Sequence, residues 1–157
     1  PHTFHMKRLS MIIMLAAALL LALPAAAQNQ VKWRTQVKMT TETEGTLTVT
    51  AIPLQGWHLY GTKLPKGGPK PTVLDFSASK GVKFLGDFKP SVKPVEKKDE
   101  MFGLTLNWWN QRVSFTRRFK LTGAKANAVI SGRITYMACN DENCTPPRTE
   151  NITLKIK

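Results

Sequence analysis

Val113-Ser114-Phe115-Thr116-Arg117-Arg118-Phe119-Lys120-Leu121 alternates apolar and polar side chains with period two, with one slip at the arginine pair. Successive side chains of a strand point to opposite faces, so this stretch reads as a strand with one face in a core and the other in water. Thr46-Leu47-Thr48-Val49-Thr50-Ala51-Ile52 and Ile152-Thr153-Leu154-Lys155-Ile156-Lys157 repeat the pattern, and residues 31–40, 57–60, 72–77, 82–85 and 128–139 are further strand candidates. Turn-forming clusters separate them, among them Glu44-Gly45, Pro65-Lys66-Gly67-Gly68-Pro69 and Thr122-Gly123. Lys89-Pro90-Ser91-Val92-Lys93-Pro94-Val95-Glu96-Lys97-Lys98 is proline-spaced and charged, and reads as an extended crossing or loop. About seven to nine short strands with no helical period predict an all-β antiparallel β-sandwich, in preference to a closed barrel.

The first residues do not belong to that pattern. Met6-Lys7-Arg8 is a positive start, residues 9–23 are almost unbroken apolar, and Pro24-Ala25-Ala26-Ala27 supplies a small-residue cleavage pattern. The apolar run of about 15 residues is short for a bilayer span. Residues 1–27 therefore read as an upstream extension and signal peptide, and residues 28–157 as one exported domain with one core. Without Lys7 and Arg8 the net charge falls from +13 to +11. Export argues against nucleic-acid work. The alternation of basic and apolar residues places much of the charge on a solvated face; the other reading is a basic face for an anionic partner, a membrane surface or an acidic protein. No other stretch is apolar enough for membrane insertion.

The sharpest chemical feature is Tyr136-Met137-Ala138-Cys139-Asn140-Asp141-Glu142-Asn143-Cys144-Thr145-Pro146-Pro147. An apolar strand runs into Cys139, four turn-forming residues follow, and Cys144 begins the return. Such a hairpin sets the cysteines opposite each other, near the separation a disulfide needs. Two readings compete. One is a hairpin staple worth roughly 2 kcal/mol in the chain-entropy model. The other is a redox-active pair at a hairpin tip, open to a partner's thiolate. Asp141 and Glu142 between the cysteines disfavour a thiolate, which suits a site that reacts only with a chosen partner.

The cysteine hairpin ending in Cys144-Thr145-Pro146-Pro147 resembles the N-terminal periplasmic domain of the DsbD thiol:disulfide interchange family. Gly56-Trp57-His58-Leu59-Tyr60, Gly68-Pro69-Lys70-Pro71-Thr72 and Asp99-Glu100-Met101-Phe102-Gly103 are similar too, and run in the family's order. The resemblance implies an immunoglobulin-like fold and a periplasmic domain. Its role would be to carry electrons from a membrane electron-transfer protein, or a thioredoxin-like donor, to exported thiol proteins. It implies that Cys144 forms the mixed disulfide and Cys139 resolves it. It makes Asp99, Glu100, Met101, Phe102 and Gly103 a cap loop, with Met101 and Phe102 covering the disulfide, and places His58 and Tyr60 among the site-lining residues. Burying an apolar Met-Phe pair over the sulfurs would recover about 2 kcal/mol per side chain; the competing reading starts an ordinary strand there.

Compared with the family, the loop between the cysteines is one residue shorter than in the best-known members. The chain as given has neither a multi-span membrane domain nor a thioredoxin-like C-terminal domain, so it reads as a stand-alone relative or part of a longer chain. Other chemistries fit poorly. His58 is the one histidine after residue 28, no G-x-S-x-G elbow is present, and no second thiol pair completes a zinc site. Neither cofactor nor metal is expected, and the domain is expected to be a monomer with thioredoxin-fold partners. The runner-up is a non-catalytic exported binding module with a structural disulfide.

Overall fold

A computed structural model describes residues 29–157; the leader read over 1–27 lies outside them. Among the described residues, eleven strands and one short 3-10 turn (Lys125–Asn127) make up the regular structure, and every strand pairing is antiparallel. Among the described residues no helix is long and apolar enough to cross a membrane.

The first sheet joins β1 (Val31–Met39), β2 (Glu44–Pro53), β8 (Val113–Leu121) and β5 (Val82–Pro90), in that spatial order. A second orders β10 (Ala138–Cys139), β3 (His58–Tyr60), β7 (Leu104–Trp109) and β6 (Val95–Asp99). A third orders β11 (Arg148–Lys155), β9 (Val129–Tyr136) and β4 (Val73–Asp75). Leu47, Val49, Phe115 and Phe119 of the first sheet share one core with Leu59, Trp109 and Ala138 of the second and Ile130 and Ile134 of the third. The second and third sheets, whose strands β9 and β10 are separated only by Met137, thus cover the inner face of the first. The result is the antiparallel immunoglobulin-like sandwich that period-two patterning demands, because each strand buries one face and must find another apolar face to lie against.

Two expectations change. The alternation of β8 does not slip at the arginine pair: Glu44 to Ala51 pair with Lys120 to Val113 without interruption, and Arg117 takes an inward position opposite Leu47. It is tolerated there because its guanidinium lies over the rings of Phe84 (4.9 Å) and Phe88 (5.6 Å) while Nε donates to the Gly86 carbonyl at 2.7 Å. The irregularity is instead in β5, whose register shifts between Leu85 and Lys89. The proline-spaced stretch is also not all loop. Its ends belong to β5 and β6, and only the segment around Ser91–Pro94 turns. Pro90 closes a strand at the sheet edge, where a missing N–H removes no ladder bond.

Candidate functional site

Sheet alternation sends Ala138 into the main core and its neighbour Cys139 to the other side of the second sheet. There Cys139 belongs to a separate small cluster with Tyr60, Leu106 and Trp108, edged by Leu64, Phe102, Leu104, Met137 and Cys144. The residues between the cysteines form a tight turn. Asn140 N–H donates to the Asn143 carbonyl at 2.9 Å, and the Asn140 side-chain oxygen accepts from the Glu142 and Asn143 N–H groups at 2.9 and 2.6 Å. Below the cysteines, Thr145 N–H donates to the Ala138 carbonyl at 2.8 Å, and the Ala138 N–H donates to the Thr145 hydroxyl at 3.2 Å. The cysteines are therefore a non-hydrogen-bonded pair, the closer kind, with Cα atoms 4.1 Å apart, and they are joined as a disulfide.

The two sulfurs do not share one environment. Cys139 is 1% exposed, whereas Cys144 is only half-buried. Cys144 Sγ meets Met101 Sδ at 3.8 Å. An oxidised cysteine has no S–H, so this is a van der Waals sulfur contact that screens the outer sulfur. Met101 is supplied by the four-residue tip of the β6–β7 hairpin, closed by the Asp99–Leu104 pair. Within the tip, Phe102 N–H donates to the Asp99 carboxylate at 3.1 Å and Gly103 N–H to the Asp99 carbonyl at 2.8 Å. Gly103 sits at φ +66°, a conformation glycine adopts without steric cost. Phe102 tucks inward, edge-on to Tyr60 at 6.4 Å, while Met101 stays outside, 55% exposed. The tip is neither a strand nor a sealed lid. It rests one sulfur atom on the disulfide and leaves the rest open.

Beside this contact lies a cleft of about 660 Å³ whose walls include His58, Asp99, Glu100, Met101, Trp108 and Asp141. His58 is the register partner of Cys139 across β10 and β3, so both side chains rise from the same face. Its ring packs on Trp108 (4.9 Å) and edge-on to Tyr60 (5.1 Å), and its Nε2 is buried without a hydrogen-bond partner. Burial pulls the His58 pKa below 6.5; Asp99 and Asp141 oppose that pull and Lys97 reinforces it. Burial, with help from Asp99, pushes the Tyr60 phenol up to about 12, so Tyr60 stays neutral across the working range.

Of the residues singled out from sequence, His58, Asp99, Glu100, Met101 and Asp141 line the cleft, and Tyr60 and Phe102 lie beneath it. Glu142 is exposed in its turn and Gly103 is exposed in the β6–β7 tip. Trp108 is the floor under His58, with Lys97 Nζ 5.8 Å from its ring centre. Met137 accepts the Lys70 N–H on its sulfur at 3.2 Å, fastening the loop between β3 and β4 to the β9–β10 junction. Adjacent tryptophans in a strand must face opposite ways, which was the available signal for Trp108; nothing local marked Met137.

The sequence profile of the family described as thiol:disulfide interchange protein DsbD, N-terminal, matches residues 24–156. Among solved structures, the N-terminal periplasmic domain of ScsB from Proteus mirabilis superposes with a TM-score of 0.59 at 13% identity, over 85% of this chain and 49% of that one. The chain thus spans about half the length of that domain, and the likeness is one of fold. A yeast GGA1 GAE domain superposes with a TM-score of 0.48 at 10% identity, over 83% of this chain and 96% of that one. No curated protein sequence matches the chain.

Proposed function

The chain belongs to the family of DsbD N-terminal thiol:disulfide interchange domains, and from that premise we propose that Cys139–Cys144 is a periplasmic electron relay. Its donor is a thioredoxin-fold protein or a membrane electron-transfer protein, and its acceptors are exported thiol proteins. The observation that carries the reading is the asymmetry of the disulfide: an inner sulfur sealed among Tyr60, Leu106 and Trp108, and a half-buried outer one that meets Met101 of the hairpin tip.

The donor's thiolate attacks Cys144 Sγ, forming a mixed disulfide and expelling Cys139 as a thiolate that then takes up a proton. The donor's second thiolate attacks its own sulfur in that mixed disulfide and releases Cys144, so the donor leaves oxidised and this domain holds two thiols. Toward an acceptor the sequence reverses: Cys144 attacks the acceptor disulfide, and Cys139 loses its proton and resolves the intermediate. Approach to Cys144 requires moving Met101 off its sulfur. The cluster beneath, by contrast, keeps Cys139 pointed at its partner sulfur throughout.

Reduction potential tests this directly. A relay should equilibrate with reduced thioredoxin and lie above about −300 mV; a staple should lie below that and resist reduction. A Cys139→Ala variant, with Cys144 activated as an aryl mixed disulfide, should form a covalent adduct with single-cysteine thioredoxin. A potential in the structural range, with no exchange, refutes the relay and leaves a binding module with a stapled hairpin.

A further inference from the structure

The outward face of the first sheet gathers cations from several strands. On β1, Lys32, Arg34 and Lys38 point out, exposed, between the inward residues Val31, Trp33 and Val37. Register carries the row Lys38, Thr46, Arg118 across three strands, and the row Lys83, Lys120, Glu44 across β5, β8 and β2. Glu44 is the one carboxylate at these paired outward positions, bridged by both Arg118 (3.1 Å) and Lys120 (3.4 Å). Asp87 and Glu42 stand at the margins, in the β5 bulge and the β1–β2 turn. The middle of the face is a stripe of hydroxyls, Thr46, Thr48, Thr50 and Ser114, and between it and Arg34 and Arg112 runs a shallow groove of about 310 Å³.

We infer that this face binds an anionic lipid surface. A lone edge strand with lysines needs no ligand to explain it, since lysine there discourages strand pairing between molecules. That argument does not reach Arg118 or Lys120, which sit on a strand paired on both sides. The centre of a protein partner's footprint is typically held by Trp, Tyr or Arg anchors, and the centre here is threonine and serine. A layer of phosphate headgroups needs no anchor. It needs a flat array of cations, each worth about fivefold in affinity near such a surface, and hydroxyls able to donate to phosphate oxygens. The disulfide does not compete. Ala138 faces the core shared with the first sheet and Cys139 faces away from it, so a molecule lying on its basic face keeps Cys144 toward water. This inference does not rest on the redox reading.

Sedimentation with vesicles separates the outcomes. Wild-type protein at low salt should sediment with phosphatidylcholine vesicles containing phosphatidylglycerol, and not with phosphatidylcholine alone; added salt should release it. The variant Lys32→Glu, Arg34→Glu, Lys38→Glu should lose well over about a hundredfold in partitioning, since three fivefold factors are removed and three repulsive charges added. The variant Lys63→Glu, Lys66→Glu, Lys70→Glu changes net charge equally, in the exposed loop between β3 and β4 that is fastened on the disulfide side, and should bind like wild type. Unchanged thermal melts exclude misfolding, and the neutral set Lys32→Gln, Arg34→Gln, Lys38→Gln should fall between. Equal loss from both Glu sets would reduce the effect to net charge and overturn the inference. So would an absence of binding to anionic vesicles at low salt, which would leave an acidic protein as the ligand for this face.

Discussion

Trp108 and Trp109 are neighbours in one strand and belong to two different cores. Trp109 lies in the main core, edge-on to Phe115 at 5.2 Å, with its Nε1–H bonded to the Val92 carbonyl at 2.9 Å. Trp108 points to the opposite face, into the small cluster that holds Cys139, with His58 above it. The main core is closed by three sheets. The small one is closed by a hairpin tip, a loop and a disulfide, elements that can move without unfolding the sandwich. On the proposed relay, stability and reactivity belong to opposite sides of the same sheet, and substitutions can be chosen to touch one and spare the other.

The largest effect should come from Trp109→Ala, which empties space between packed sheets and should cost about 3–5 kcal/mol in denaturant unfolding. Trp108→Ala, among loops that can collapse, should cost about 2 kcal/mol and should shift the disulfide's reduction potential, which Trp109→Ala leaves in place. Equal costs with no redox shift would erase the distinction between the cores. Gly132 belongs to the main-core side as well: a Cβ there would strike the Phe76 ring, so Gly132→Ala should cost about 1–3 kcal/mol through overpacking.

Removing the disulfide is the next test in size. It closes a loop of six residues, so the double variant Cys139→Ala, Cys144→Ala should lose only about 2 kcal/mol and stay folded by circular dichroism. Outright unfolding would make the pair a structural necessity and merge the two cores into one. Smaller again is Gly103→Ala. Nothing crowds a Cβ at that position, so the cost is that of a positive φ alone, about 1 kcal/mol. Strain confined to the tip should appear as faster reduction of the disulfide by a small thiol, with little change in global unfolding.

The finest distinction is in pH dependence. Burial depresses the folded pKa of His58 below its unfolded value, against Asp99 and Asp141 and with Lys97. The unfolded chain therefore binds more protons as pH falls below about 6.5. The stabilisation from a neutral His58 is whole above that pH and is lost as pH falls through the depressed native value. His58→Phe should flatten this limb of the stability profile, measured by thermal melts across the acidic range. An unchanged limb would move its cause to other groups.

Much of this was legible in advance. Period two in Thr46–Ile52 and Val113–Leu121 separates inward from outward residues because alternation is a property of the single strand. The cysteine hairpin was legible for a similar reason: four turn formers between two strand ends bring those ends together. The cap loop was expected from the family resemblance, and the apolar Met101-Phe102 pair among charges agrees with it. That Phe102 would turn under and Met101 would meet Cys144 depends on the height of one hairpin tip above another, which no local pattern contains. The supposed slip at Arg117-Arg118 failed for the same reason, since an inward arginine is acceptable only where Phe84, Phe88 and a bulge carbonyl from another strand receive it.

By itself, then, the chain determined most of its strands and their buried faces, though not β6 and β7, and the pairing of its two thiols, because those follow from backbone geometry over a few residues. Tertiary structure alone decided which tryptophan serves which core, which sulfur is sealed, and that the outward cations of separate strands gather on one sheet opposite the disulfide. These are contacts between segments far apart in sequence, and they are set by which apolar faces bury each other, a choice made only when the whole sandwich closes.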